Sequence, residues 1–164
     1  MPPGKALHEP SLVSRPVPVH VIPNGVPARD SIPSPLRLSF SGPTAVHEAT
    51  LAARDFAEAA ALAEADASRL AIVVEELVTN LYDHGGLADD AMFTIDLSAT
   101  DAEVVMILTD PGKPFDPALA KLDAPTRSRG GGAGLKLLRA WASYTDYRTE
   151  EGRNRFRLGL PRTL

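Results

Sequence analysis

The amino-acid sequence predicts an α+β domain, a two-layer α/β sandwich whose mixed, mostly antiparallel sheet carries its helices on one face. Segments with strand-like alternation and segments with helix-like periodicity follow in the order strand, helix, helix, strand, strand, helix, strand, strand. Strands grouped with strands and helices with helices are typical of a two-layer arrangement. An apolar fraction of 44% over 164 residues is enough for one domain with a buried core.

Charge and composition exclude several classes of function. The formal net charge of -4 lacks the basic excess that neutralises nucleic-acid phosphates, so we expect no direct nucleic-acid partner. The absence of cysteine excludes disulfides, thiolate zinc sites and cysteine nucleophiles. The first residues lack the apolar core of a signal peptide, and no apolar run is long enough to cross a bilayer. We therefore expect a cytoplasmic protein with no membrane partner.

A proline-rich extension, residues 1–35, precedes the predicted domain at residues 36–164. Proline removes backbone donors and biases the preceding residue away from helix, and this segment has no sustained apolar period. The interpretation is a tail outside the domain.

A strand and a helix open the predicted domain. Leu36, Leu38 and Phe40 alternate with polar residues, which indicates a half-buried strand. An alanine-rich helix is then expected from about Thr44 to Leu62, because alanine has the highest helix propensity.

A second helix follows and ends at about His84. Either Asp66 or Ser68 is expected to cap its N-terminus, since both residue types accept hydrogen bonds from the first helical amides. The pair Gly85-Gly86 marks its C-terminus, where glycine is frequent.

Two strands, Met92–Ser98 and Glu103–Thr109, come next, joined by a short turn near Asp101. Both alternate, and the expected core positions are Phe93, Ile95, Leu97, Val105 and Ile107.

A long loop, residues 110–132, separates these strands from the rest of the domain and contains four prolines and three consecutive glycines. Loops of this length are often functional lids. A helix over Ala133–Ser143 and a hairpin of Tyr144–Thr149 and Asn154–Leu160, turning at Glu151-Gly152, complete the predicted elements.

The second helix carries the first candidate site residues. Glu76 and Asn80 are four residues apart on it, so their side chains project side by side while the apolar residues occupy another face. An amide oxygen is a hard, neutral ligand for Mg²⁺, and a carboxylate can accept a proton from a hydroxyl group or water. Taken alone, the pair is also compatible with two solvated polar residues.

Two further segments have the residue types of a nucleotide site. Asp110 ends a predicted strand and could accept a hydrogen bond from the exocyclic amine of adenine, while Gly112 permits close backbone approach to the base. Glycines 130, 132 and 134 open directly into a helix, where backbone amides and the helix dipole favour phosphate oxygens. This glycine run matches neither the P-loop nor the dinucleotide fingerprint.

Together and in this order, the three segments resemble the GHKL ATPase superfamily, whose ATP site is built on the Bergerat, or histidine kinase-like, fold. Within it the chain is most similar to the small anti-sigma factor serine/threonine kinases of bacteria, over roughly residues 36–160. The sequence departs from the family pattern by an extra glycine in the glycine box. It also has Asn154 near the start of the last strand, where a small hydroxylated residue is usual.

The resemblance implies roles for residues of this chain. Asn80 matches the family's Mg²⁺ ligand, and Glu76 its catalytic base. The matching ATP-binding positions are Asn80, Asp110, Gly112, Gly132, Gly134 and Leu135, with Arg129 as the candidate contact to the terminal phosphate and Gly130 in the same loop.

The implied function is that of an ATP- and Mg²⁺-dependent protein serine/threonine kinase. Its implied partners are a sigma factor, which it sequesters, and a STAS-type anti-anti-sigma protein, which it phosphorylates. Exposed apolar surface on the first helix or at the sheet edge is expected to serve a homodimer.

Two other interpretations compete with this one. A histidine kinase needs a phospho-accepting histidine on a helical hairpin before the ATP site. Only one helix precedes the Glu76 helix, so His47 is interpreted as a surface residue. The more serious alternative is a non-catalytic, nucleotide-dependent binding protein of the same fold. Glu76 favours the kinase, because a pure binder has no need of a base.

Overall fold

Five strands and three helices form the part of the chain that the computed structural model describes, residues 35–119 and 133–163. The elements in chain order are β1 (Leu36–Phe40), α1 (Ala45–Ala59), α2 (Glu64–Asp83), β2 (Phe93–Ala99), β3 (Glu103–Asp110), α3 (Ala133–Trp141), β4 (Tyr144–Glu150) and β5 (Arg153–Pro161). Each predicted element in this part of the chain is present, with ends shifted by a few residues at most.

The strands form one sheet in the order β1-β2-β3-β5-β4, and every neighbouring pair of the described strands is antiparallel. Buried side chains of the three helices and of one sheet face belong to a single core cluster. The predicted α+β sandwich with helices on one face is therefore confirmed. Its sheet is antiparallel throughout the described strands instead of mixed.

Small residues determine how α1 packs. Its buried positions are Ala45, Ala49, Ala53, Phe56 and Ala57, a stripe with helical spacing. Alanine side chains add little volume, so this face can approach the core closely. The neighbouring α2 contributes larger side chains to the same core, with Leu70, Val73, Val74, Leu77 and Val78 at most 1% exposed.

The predicted core positions of β3 were wrong by one residue. Val104, Met106 and Leu108 are buried, whereas Val105 and Ile107 are only half-buried on the opposite face. Residues 104–108 of this strand are all large and apolar, so hydropathy alternation cannot decide which face it buries. The pairing with β2, in which Ile95 faces Leu108 and Leu97 faces Met106, fixes the phase. The predicted core positions of β2 are confirmed.

The predicted cap of the second helix was also wrong. Ala63 is the N-cap residue, and Asp66 lies within the first turn, where no side-chain capping bond forms. The Asp66 carboxylate instead accepts hydrogen bonds from the backbone N–H and the hydroxyl of Thr163, at 2.7 and 2.6 Å. The Asp66 carboxylate is therefore bonded to a residue 97 positions away in the sequence, and not to the helix amides that the local sequence predicts as its partners.

Two predicted segments lie wholly or mostly outside the described residues. They are the proline-rich extension, of which only Pro35 is described, and the lid, which is described up to Leu119. In the described part of the chain, the helices are too short or too polar to cross a membrane.

Candidate functional site

The Glu76 and Asn80 side chains meet on one side of α2. The Asn80 Nδ2 group donates to the Glu76 backbone oxygen at 2.8 Å and lies 3.4 Å from Glu76 Oε1. Asn80 is buried at 6% exposure, and Glu76 is half-buried. Because Nδ2 is engaged with the helix, Asn80 Oδ1 is oriented away from it and accepts no hydrogen bond from the described residues.

The C-terminal end of α2 meets the loop that follows β3. The Gly85 N–H donates to the Asn80 carbonyl at 3.0 Å, and the Gly85 oxygen accepts the Lys113 N–H at 2.7 Å. The His84 ring stacks on Phe115 with centroids 5.2 Å apart. These contacts bring the turn that follows β3 to the same helix that carries Asn80.

Asp110 is a buried carboxylate at the end of β3, 5% exposed. Its Oδ1 atom accepts hydrogen bonds from the Gly112 N–H at 2.8 Å and from Asn154 Nδ2 at 3.1 Å. Oδ2 accepts none from the described residues. Burial raises the pKa of Asp110, while the hydrogen bonds from Asn154 and Gly112 and the charge of Arg153 act in the opposite direction.

The backbone around Gly112 leaves no room for a side chain. A Cβ atom at this position would lie 2.8 Å from the Gly85 oxygen and 2.9 Å from Asp110 Oδ1. Any larger residue would therefore push the loop away from α2 or displace the carboxylate. The structure thus requires a glycine here for packing against Gly85 and Asp110, while the close approach of its backbone to a nucleobase stays a prediction.

The start of α3 packs against the other end of the Glu76–Asn80 pair. Gly134 is buried, and a Cβ atom there would overlap the Glu76 carboxylate. Leu135 is buried at 5% exposure. The other predicted positions of the glycine loop, Arg129, Gly130 and Gly132, lie outside the described residues.

A groove of about 690 Å³ runs over the outward face of α2, between the starts of α1 and α3. Glu76 and Gly134 line it, together with Glu75, Thr79 and Asp83 of α2. Asn80, Asp110 and Gly112 do not line it. Glu76 therefore lies between two regions: the groove on one side, and Asn80 with the Asp110 turn on the other.

Comparison with known proteins identifies the family. Residues 41–160 match the family described as the histidine kinase-like ATPase domain. The chain belongs to this family. The match covers all three segments that carried the sequence resemblance, namely the Glu76 helix, the Asp110–Gly112 turn and the glycine loop, and confirms the resemblance to the GHKL ATPases.

No curated protein matches this ATPase domain. Among solved structures, it is similar to a chain of the SiaB-SiaC complex from Pseudomonas aeruginosa, with 19% sequence identity and a TM-score of 0.48. The similarity covers 76% of this chain and 89% of that one.

The residues present in the ATPase domain fit Mg²⁺ bound together with a nucleotide. Mg²⁺ usually takes one or two protein oxygens and completes its shell with water and substrate phosphates. Asn80 offers one neutral oxygen without a protein donor among the described residues, as such a site requires. Asp110 Oδ2 likewise accepts no hydrogen bond from the described residues.

Sequence reasoning missed the residues that support Asp110. Tyr147 and Thr149 on β4 donate hydrogen bonds to Asn154 Oδ1, at 2.9 and 3.2 Å, and Asn154 in turn contacts Asp110. Asn154 stood out as a departure from the family pattern, but nothing in the sequence indicated its partners. They become neighbours only through the pairing of β3 with β5 and of β5 with β4.

Proposed function

We propose that this ATPase domain is a protein serine/threonine kinase of the anti-sigma factor type, which binds ATP with Mg²⁺ and phosphorylates a hydroxyl group of a STAS-type partner. The observation that supports it most is the position of Glu76. This half-buried carboxylate lies beside Asn80 and opens into the groove over α2. A general base must reach both the reacting nucleotide and an incoming hydroxyl, and this position serves both.

The chemistry assigned to each residue follows from its surroundings. Asp110 accepts the adenine amine, and the Gly134 backbone together with the glycine loop before it contacts phosphate oxygens. Asn80 Oδ1 would hold Mg²⁺, and the bound ion would neutralise charge on the phosphate oxygens. Positioning and neutralisation of this kind do most of the work in phosphoryl transfer.

Glu76 is the base in this scheme. A serine or threonine oxygen of the partner attacks the terminal phosphorus of ATP, the bond from that phosphorus to the bridging oxygen breaks, and ADP leaves. Glu76 accepts the proton of the attacking hydroxyl. Gly134, which packs against the carboxylate, holds it at the groove wall.

The groove supports a protein acceptor. Of its lining residues in the described part of the chain, Glu75, Glu76, Asp83 and Asp89 are acidic and none is basic. A partner loop with basic residues near its hydroxyl would complement this surface.

Sequestration of a sigma factor and formation of a homodimer belong to the same proposal. Leu51 on α1 and Leu36 on the edge strand β1 are 47% and 37% exposed, so apolar surface is available at both predicted places.

Replacement of the base tests the proposal. Partners are captured from a bacterial lysate with Mg·ATP, phosphosites are mapped, and the purified acceptor is labelled with γ-labelled ATP. We expect Glu76→Gln to lower the labelling rate by about 10²- to 10⁴-fold, the usual contribution of a general base, while ATP affinity stays within about threefold. Glu64→Gln, an exposed glutamate in the first turn of the same helix that does not line the groove, is the matched control and should label normally.

Two results would count against the kinase. Unchanged labelling by Glu76→Gln would remove the base from the mechanism. Capture of a sigma factor by the wild type, with ATP binding but no labelled protein, would favour the non-catalytic nucleotide-dependent binder.

A further inference from the structure

Asn154 is the most extensively bonded polar side chain near Asp110 in the described part of the chain. It is 3% exposed, and its Nδ2 donates to Asp110 Oδ1 at 3.1 Å, to the Gly112 oxygen at 3.0 Å and to the Lys113 oxygen at 3.2 Å. All three partners are acceptors, whereas the two groups at Oδ1 are hydroxyls. The amide can therefore face only one way.

The hydroxyl of Tyr147 extends this arrangement as far as Phe115 in the loop that follows β3. It donates to Asn154 Oδ1 and accepts the Phe115 N–H at 3.0 Å. Asn154, Tyr147 and Thr149, here called the hairpin polar cluster, thus hold residues 112–115 from the sheet side. On the other side, the Gly85 oxygen holds the Lys113 N–H.

This arrangement determines what Asp110 can offer to a ligand. Two N–H donors occupy Oδ1, one of them from Asn154, and both favour the ionised carboxylate. The remaining acceptor is Oδ2. An anionic oxygen facing a base attracts an amine donor and repels a carbonyl oxygen.

We propose that Asn154, held by Tyr147 and Thr149, is a positioning residue that makes Asp110 select nucleobases with an exocyclic amine over bases with a carbonyl at the same place. This inference rests on the proposed function, since it concerns the base end of the same nucleotide site. Asn154 acts through Asp110 and does not contact the nucleotide itself.

The probes are ADP and inosine diphosphate, which differ in having an amine or a carbonyl at that ring position. Affinities for both are measured by calorimetry on the full chain. Wild type is expected to prefer ADP by at least about tenfold, because one nucleotide gains a charge-assisted hydrogen bond and the other faces repulsion. Asn154→Ala should reduce the preference to below about threefold, chiefly by weakening ADP.

Thr145→Val is the matched control. Thr145 lies on β4 two residues before Tyr147, and β4 pairs it with Leu158 on the same β5 strand. It makes no hydrogen bond to the hairpin polar cluster, so the preference for ADP should be unchanged in this variant.

The variant Asn154→Asp distinguishes a positioning role of Asn154 from a purely packing role. A positioning role makes the base preference of this variant depend on pH, whereas a packing role does not. When protonated, the introduced carboxyl group has the shape of the asparagine side chain and can donate to Asp110 Oδ1. When ionised, it places two carboxylates face to face. We expect the preference of this variant for ADP to decline as pH is raised from mildly acidic to mildly alkaline values, since the paired carboxyls share a proton only at the lower pH. Wild type should keep its preference over this range.

Other titratable groups are common to all variants. Arg153 on β5, Lys113 in the loop, Tyr147 on β4 and His84 at the end of α2 surround Asp110 or its loop. A pH trend shared by wild type and Asn154→Asp belongs to these groups and to Asp110.

The results separate failure of this inference from failure of the proposed function. If wild type binds neither nucleotide, the proposed function fails. If wild type prefers ADP and both Asn154 variants keep that preference at every pH, the positioning role is wrong. Should Asn154→Ala not fold, the pH series on Asn154→Asp decides alone.

Discussion

The burial that the proposed role of Asp110 requires also disfavours its ionised form. Its carboxylate must be buried to meet a base edge, and burial raises the pKa of the group. Two N–H donors on Oδ1 and the charge of Arg153 partly offset this effect. A carboxylate that is buried for ligand binding is expected to lower the free energy of unfolding of the protein.

Asp110→Asn tests both consequences. Because the folded pKa is raised, the folded protein holds the proton more tightly than the unfolded chain does. The favourable contribution of protonated Asp110 is complete below the ordinary pKa of aspartate and is lost as pH rises through the raised value. At neutral pH the neutral amide should therefore melt at the same or a higher temperature than wild type, as followed by circular dichroism.

The same substitution should weaken ADP binding by about 10- to 100-fold, because an amide donor would face the adenine amine. Wild-type affinity should fall as pH drops through the Asp110 pKa, whereas the residual affinity of Asp110→Asn should not. Asp101→Asn, on the exposed β2–β3 turn, is the control. A variant that is both less stable and equally tight for ADP would contradict this view of Asp110.

Contacts between candidate side chains were predictable where local spacing determines geometry. Glu76 and Asn80 are one helical turn apart, and their side chains do meet. Asp66 was not predictable, because its partner Thr163 is 97 residues away in sequence. The support of Asp110 by Asn154 was hidden for the same reason, at a separation of 44 residues.

At the level of elements, helices and strands were predictable from periodicity, since each needs only neighbouring residues to form its pattern. Which face of β3 is buried was not predictable from the sequence. Val104 to Leu108 are all apolar, so the buried face depends on pairing with β2 and β5. Where one strand alternates clearly, as Phe93, Ile95 and Leu97 do in β2, the predicted face is correct.

The β4–β5 turn offers a test of element stability. Glu151 and Gly152 both have positive φ, at 51° and 74°, as the favoured two-residue hairpin turns require. Glutamate tolerates this region poorly, so Glu151→Asn should raise the free energy of unfolding by about 0.5–1 kcal/mol in urea titration.

Gly152→Ala is the matched opposite change and should lower the free energy of unfolding by about 1 kcal/mol. A Cβ atom at this position would have no neighbour within 4 Å, so any loss comes from the backbone conformation alone. Destabilisation by Glu151→Asn would show that the glutamate side chain contributes more than its backbone conformation costs.

For the molecule as a whole, the strand order could not be predicted from the sequence. β5 pairs with β3 and thereby separates β3 from β4, so that Asp110 lies opposite Asn154. This order brings the start of β5 beside the end of β3 and so creates the surroundings of Asp110. Helix α2 and the turn after it contact both the start of α3 and the loop after β3. Gly134 packs beside Glu76, and the loop after β3 is hydrogen-bonded to Gly85.

Thermal melting of the wild type and Asp110→Asn with and without Mg·ATP tests nucleotide binding most directly. A ligand at about 100 times its dissociation constant stabilises the folded state by about 2.7 kcal/mol. For a domain of this size that corresponds to a rise in Tm of about 5 to 10 °C. We predict such a rise for the wild type and a much smaller one for Asp110→Asn. No rise in the wild type at millimolar Mg·ATP, or an equal rise in both proteins, would contradict an adenine nucleotide site at Asp110.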